Sequence, residues 1–303
     1  MYDATTAWRR TDLLKNRKAL LIFLTPALAG FLIFYLIPFA GGLYYSMLNN
    51  AIEKEFTGLS NICSLFANKA FILALKNTFL LTVTVVPLMI LFSLTAAYVI
   101  KTLAGKFRIS SGILRKSLIL PLSVPTVSIA FVWQLMFEKN GHLNRLAGAL
   151  TGLEGPDWLN GPLLYVPVVL IYIWKYSGFN IILFLGALSS VPRELNEAAR
   201  IDGAGPFSRM AKIILPQIFP VTFLVTLLSI INSFRIFREV YVLCGPYPPA
   251  NLYLLQHFIN NNFTRLNYEK LTSAAYIFAV VVMAFVVLMM RIENKIISEN
   301  RKI

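Results

Sequence analysis

Long apolar runs, each ended by a short polar stretch, set the pattern of this chain. Six of them reach membrane length, at about 19–41, 77–100, 117–137, 163–189, 214–243 and 271–291. A helix needs roughly 20 apolar residues to cross the hydrocarbon core of a bilayer. The runs are continuous rather than alternating, which predicts helices and not the strands of a membrane barrel. The pattern therefore predicts an all-α, polytopic membrane protein of about six transmembrane helices.

The polar stretch between the fourth and fifth runs departs from this pattern. Residues 192–216 read PRELNEAARIDGAGPFSRMAKIILP. Pro192 suits a first helical turn, where its missing N–H costs nothing. Glu194 and Glu197 complement the positive end of the helix dipole, and Arg193 and Glu197 are spaced to pair on one face. Ala198 and Ala199 are strong helix formers with almost no side chain. Gly203 fits the left-handed residue that ends a helix. A short surface helix of two or three turns is expected, then a turn at Gly205-Pro206, then a fifth span bent near Pro216 and Pro220. Taken by itself, such a segment is either an amphipathic connector resting on headgroups or a docking element whose Ala-Ala pair admits another backbone.

Composition agrees with the membrane reading. Hydrophobic residues make up 57% of the 303 and charged ones 14%, against roughly 25% charged in a soluble domain; the mean hydropathy is +0.67. The net charge of +14 is read as orientation and attraction to anionic lipid rather than nucleic-acid binding. With the N-terminus inside, eighteen Lys and Arg fall in cytoplasmic segments and seven in external ones. Arg9, Arg10, Lys15, Arg17 and Lys18 mark a cytoplasmic N-terminal segment, 1–18. Both termini and the 192–216 loop are thus placed in the cytoplasm. The basic start followed by Ala27-Leu28-Ala29 has the form of a signal peptide, but the apolar run continues to Ile37, so an uncleaved first helix is expected. Residues 19–303 form the membrane domain, with a core at about 77–291.

Chemistry-bearing residues are sparse. Cys63 and Cys244 stand far apart, with a disulfide neither required nor excluded, and His142 and His257 lie in different loops. No phosphate-cradling glycine loop occurs; the only Gly-Lys pair, Gly105-Lys106, is followed by Phe107. The chain is therefore not expected to bind ATP or any other cofactor. Polar residues inside the runs gather at two places. Trp174, Lys175, Tyr176, Ser177, Gly178 and Asn180 lie in the fourth, and Ser229, Asn232 and Ser233 in the fifth. These are either helix-to-helix hydrogen bonds or a solute path of aromatic faces, amides and hydroxyls. Arg235, Arg238 and Glu239 follow; Arg235 and Glu239 are spaced to pair, as a structural ion pair or as part of a polar wall that favours an anionic solute.

Glu197-Ala198-Ala199, Gly203, Ile213 and Leu215-Pro216 form an E-A-A-x3-G-x9-I-x-L-P pattern, with Asp202-Gly203-Ala204 inside it. This resembles the cytoplasmic loop of ABC importer permeases that work with binding proteins. Two further stretches resemble the sugar-permease branch, of maltose and glycerol-phosphate type. One is Phe56-Thr57-Gly58-Leu59-Ser60-Asn61 with Phe71 and Ala74-Leu75-Lys76-Asn77-Thr78. The other is Ser233-Phe234-Arg235-Ile236-Phe237-Arg238-Glu239-Val240-Tyr241-Val242-Leu243 before Gly245-Pro246. The chain departs from the branch at Cys244, where Thr is more usual, and at Tyr247-Pro248-Pro249. The resemblance implies a transport subunit of the bacterial cytoplasmic membrane and not an enzyme. It implies a second permease subunit, two ATP-binding subunits that hold ATP and Mg, and an external solute-binding protein. Glu194, Glu197, Ala198, Ala199, Arg200, Asp202, Gly203, Ala204, Leu215 and Pro216 would couple to the ATPase. Trp174, Tyr176, Ser177, Gly178, Asn180, Ser229, Asn232, Ser233 and Arg235 would line the solute path. The alternatives are an autonomous ion- or proton-coupled carrier, an importer of an anionic solute such as glycerol phosphate or a uronate oligosaccharide, and a membrane enzyme or scaffold.

Overall fold

Prolines decide where the apolar runs bend. In the computed structural model, residues 17–49, 55–104 and 111–300 are described. Arg9, Arg10, Lys15 and Trp8, with Lys54, Lys106, Arg108, Arg301 and Lys302, lie outside them. The first run is helix α1 (Arg17–Phe31), a π-helical turn (Leu32–Leu36) and α2 (Ile37–Ser46). Pro38 has no N–H for the carbonyl four residues back, and its ring crowds that carbonyl. The turn widens, and Ile37 N–H bonds Leu32 O instead. The same device recurs before Pro216, where Leu215 N–H bonds Met210 O.

Helix α3 (Ser60–Phe66) precedes the long α4 (Lys69–Ala104). The third run breaks. α5 (Ser111–Ser123) and α6 (Thr126–Phe137) meet at a bend of 92°. This corrects the expected continuous span at 117–137. Pro125 is extended, with ψ 139°, and a proline also drives the residue before it out of the helical region. Helix α7 (His142–Thr151) follows and ends on Gly152 at φ +71°.

The fourth run is one helix, α8 (Tyr165–Ser190). The charged loop forms α9 (Arg193–Ile201) and the single turn α10 (Pro206–Arg209), and a π-helical turn (Met210–Ile214) leads into α11 (Leu215–Arg235). The fifth run is interrupted at Ile236 and resumes as α12 (Phe237–Cys244). Helices α13 (Leu255–Thr264) and α14 (Tyr268–Asn300) complete the chain. Among the described residues, five helices are long and apolar enough to cross a membrane, six if the bent pair that begins with α5 and α6 counts as one span.

Helix α8 is the post of the bundle, packed against α4, α5 and α11. Near its middle Tyr172 and Tyr176 meet Leu81, Val85 and Met89 of α4. Toward the charged loop, Phe184 and Leu188 meet Ala97 of α4 and Ile218 and Val225 of α11. A smaller cluster of Phe71, Leu255, Phe258 and Ala274 holds α4, α13 and α14 together at the opposite end. The first span stands apart, exposed along almost its whole length, and touches the bundle mainly where α2 meets α14.

Gly178 lets α5 approach this post. A Cβ there would collide with the carbonyl of Leu118. Gly178→Ala is therefore expected to destabilise by about 1–3 kcal/mol through overpacking. Gly186→Ala, on the same helix but facing open space, is expected to be neutral or to stabilise by up to about 1 kcal/mol. Thermal unfolding of the two variants in detergent checks the contrast.

Candidate solute path and coupling loop

The polar residues of α8 and α11 meet one another in the bundle. Tyr172 donates its hydroxyl to Ser229 O at 2.6 Å, and Asn180 Nδ2 reaches Ser229 Oγ at 3.2 Å. Ser233 Oγ lies 3.0 Å from Thr82 Oγ1 of α4 and bonds Ile230 O within its own helix. Asn180, Ser229 and Ser233 are all buried. Among hydrocarbon such groups must find partners within the protein, and here they bind helix to helix. Ser177 and Gly178 are buried on α8 as well. The expected path residues that stay accessible are Trp174, set edge-on to Trp133 at 5.8 Å, together with the half-buried Asn232 and the exposed Arg235.

The charged groups pair otherwise than their spacing suggested. Glu239 bonds Lys175, not Arg235. Lys175 Nζ lies 2.5 Å from Glu239 Oε1, with both side chains almost wholly buried. The ammonium also donates to Thr126 Oγ1 at 2.9 Å and sits 5.4 Å from the centre of the Tyr176 ring. Three elements thus converge on Lys175: α8 itself, the head of α6 just after the 92° bend, and α12 just after the break at Ile236. The other carboxylate oxygen, Oε2, is buried without a hydrogen-bond donor. Removing either partner would strand a buried charge, at about 3–5 kcal/mol. Thr82, Thr126 and Tyr172 escaped sequence reading because a lone Thr or Tyr in an apolar run carries no periodic signal; the Lys175–Glu239 pair joins two runs 64 residues apart.

The charged loop forms the expected helix. α9 ends at Asp202, Gly203 takes φ +78°, and Ala204 N–H closes back on Ala199 O at 2.9 Å. Glu194, Glu197, Ala198, Arg200 and Asp202 are exposed. Ala199 is buried, Ala204 and Leu215 half-buried, and Pro216 exposed. The Arg193 side chain lies outside the described ones, so its pairing with Glu197 does too. Large apolar side chains also stand in the open on this loop. Leu195 is 46%, Ile201 87% and Phe207 86% exposed, a surface that charge patterning did not reveal. The loop is tied down behind by Arg209, which donates to Asn196 Oδ1 at 3.2 Å. Lys101 fastens the end of α4 to that of α8 through Leu188 O at 2.5 Å. Cys63 and Cys244 are both free thiols.

Residues 102–299 match the family model described as the binding-protein-dependent transport system inner membrane component. The chain belongs to this family. The permease is therefore an integral membrane transport component and not an enzyme. It is 28% identical to the trehalose/maltose transport system permease protein MalF of Thermococcus litoralis, over 93% of this chain and 96% of that one. It is 30% identical to the lactose transport system permease protein LacF of Rhizobium radiobacter, over 88% and 90%. It is 34% identical to the arabinooligosaccharides transport system permease protein AraP of Bacillus subtilis, over 82% and 78%. Its fold matches a chain of a bacterial ABC transporter involved in the import of the acidic polysaccharide alginate, with TM-score 0.75 and 24% identity, covering 95% of this chain and 99% of that one.

His257 lies on α13, outside the spans, and is fully buried beside Phe237, Tyr241 and Tyr253. Leu254 N–H donates to its Nδ1 at 3.1 Å, and Nε2 is buried without a partner. Burial pushes the imidazole down to about 4. A depressed folded value means that the unfolded chain binds the proton first. Stability is thus full above about pH 6.5 and falls as the pH drops through about 4. Thermal unfolding at pH 7.5 and pH 5 is expected to show an acid loss in the wild type that His257→Phe reduces.

Proposed function

We propose that this permease is one of two membrane subunits of an ATP-driven importer of carbohydrate, delivered by an external solute-binding protein. Its surface helix α9 is the seat of a separate ATPase on the cytoplasmic side. The arrangement of that loop carries the reading. A nine-residue charged helix shows Leu195 and Ile201 beside Glu194, Glu197 and Arg200, and Phe207 stands exposed on α10 just after it. It is joined at one end to the post α8 and at the other, through a tight turn, to α10 and the π-helical turn that run unbroken into α11. A body docked on that face and moving as ATP is bound would carry α11 with it, because a short rigid link transmits rigid-body motion. The excess of basic residues on the loop side supports the orientation, with both termini in the cytoplasm, in a bacterial inner membrane. Family membership, and relatives that carry trehalose or maltose, lactose and arabinooligosaccharides, support a sugar cargo and the binding-protein partner.

One observation favours an acidic sugar within this class. Glu239 neutralises Lys175, whereas Arg235 and Arg238 are exposed and make no ion pair among the described residues. Two exposed guanidinium groups without an ion-pair partner suit a carboxylate or phosphate.

Affinity purification of the tagged chain from its source is expected to bring down an ATPase and a second permease. Glu197→Arg is expected to lower ATPase recovery at least tenfold, about 1.4 kcal/mol or more of lost docking, with the fold intact by circular dichroism. Full recovery with Glu197→Arg, or uphill transport by the chain alone, would refute the reading.

A further inference from the structure

Glu239 holds one partner while a second stands one turn away. Lys175 takes its Oε1, and its Oε2 is buried with no donor. Arg235, four residues earlier, ends α11 exposed and outside any ion pair among the described residues. Only Ile236 separates α11 from α12, at φ −60° and ψ −19°. A change of roughly 20° in that ψ restores ideal helix. In a continuous helix, Arg235 and Glu239 share a face at the i, i+4 spacing that favours ion pairing. Tyr176 lies within electrostatic reach of Glu239, Arg235 and Arg238, so all these groups share one neighbourhood.

We propose that Glu239 is a switching residue that exchanges Lys175 for Arg235 when the fifth span straightens at Ile236. In the arrangement seen here, Lys175 pins α12 through Glu239 and the head of α6 through Thr126. Both pinned segments begin at a break in a membrane span, so the pin holds two jointed arms against one post. Simple rupture would strand two charges in a low-dielectric site, which a buried pair strongly resists. Exchange lessens this cost, because Glu239 keeps a cationic partner. Glu239 passes to a guanidinium four residues earlier in the chain, and Lys175 keeps Thr126 and the face of Tyr176. The exchange frees α12 from α8 and leaves one charge, Lys175, without a carboxylate, where simple rupture leaves both charges without one. Arg235 and Glu239 thus act as positioning residues for the path.

The inference rests on the importer reading, and the test separates the two. The complete transporter, with its ATPase and partner permease, is placed in liposomes with Cys63 and Cys244 replaced by Ser. Spin labels at Leu170 on α8 and Val242 on α12, both partly exposed, report the separation of the two helices by pulsed electron resonance, with and without ATP and vanadate. Wild type is expected to show a longer distance when trapped. Arg235→Gln, at an exposed position, is expected to abolish that change and lower transport by about tenfold while the complex still assembles. Lys175→Met is expected to show the longer distance without nucleotide. An unaltered response in Arg235→Gln, or wild-type transport in Lys175→Met/Glu239→Leu, would overturn the switch and leave a static ion pair. A wild-type complex that neither hydrolyses ATP nor moves would refute the importer reading itself.

Discussion

Inside a bilayer no water satisfies a stray polar group, and this constraint shapes the whole bundle. An unpaired donor or charge in hydrocarbon costs several kcal/mol, so each polar side chain in a span needs a partner in its own helix or on another. Helix α8 collects them: Tyr172 and Asn180 hold α11 through Ser229, and Lys175 holds α12 and the head of α6. Apolar packing against α4 then fills the space between. The post and the helices around it are joined by directional bonds and not by greasy contact alone.

Prolines supply the complementary property, that of joints. At three of them a backbone hydrogen bond is lost and the chain answers by widening a turn or by bending. Pro38 and Pro216 follow π-helical turns, and Pro125 sits at a right-angled bend. The joint before α11 is also the link to the surface helix α9, so the loop meets the membrane through a turn already departing from ideal helix. A π-helical turn of this kind often marks a functional position.

Much of this was legible in residue order because local rules decide it. Membrane length alone located five of the six spans to within a few residues, apart from the overhangs of α4 and α14. The α9 helix and its left-handed Gly203 follow from propensity and capping, and local geometry overrode nothing there. The third span was misread as continuous because its apolar pattern runs straight through Ser123, Val124 and Pro125, and hydropathy is blind to a backbone bend. The partner of Glu239 was misread for a different reason. Spacing along one helix favoured Arg235, but Lys175 comes from another helix, and only three-dimensional packing brings them together. Of the residues expected to line a solute path, Asn180, Ser229 and Ser233 are engaged in holding helices together. Trp174, Asn232 and Arg235 remain free to face a solute.

The central claim is that α9 works as a lever rigidly joined to α11. Three glycines inserted between Ala204 and Gly205 would lengthen the turn without touching the exposed face of α9 or the membrane core. The decisive measurement is solute uptake per ATP hydrolysed by the reconstituted complex carrying that insertion. The account predicts that the ATPase still binds and hydrolyses while uptake collapses toward background. Uptake per ATP equal to that of the uninterrupted chain would contradict it.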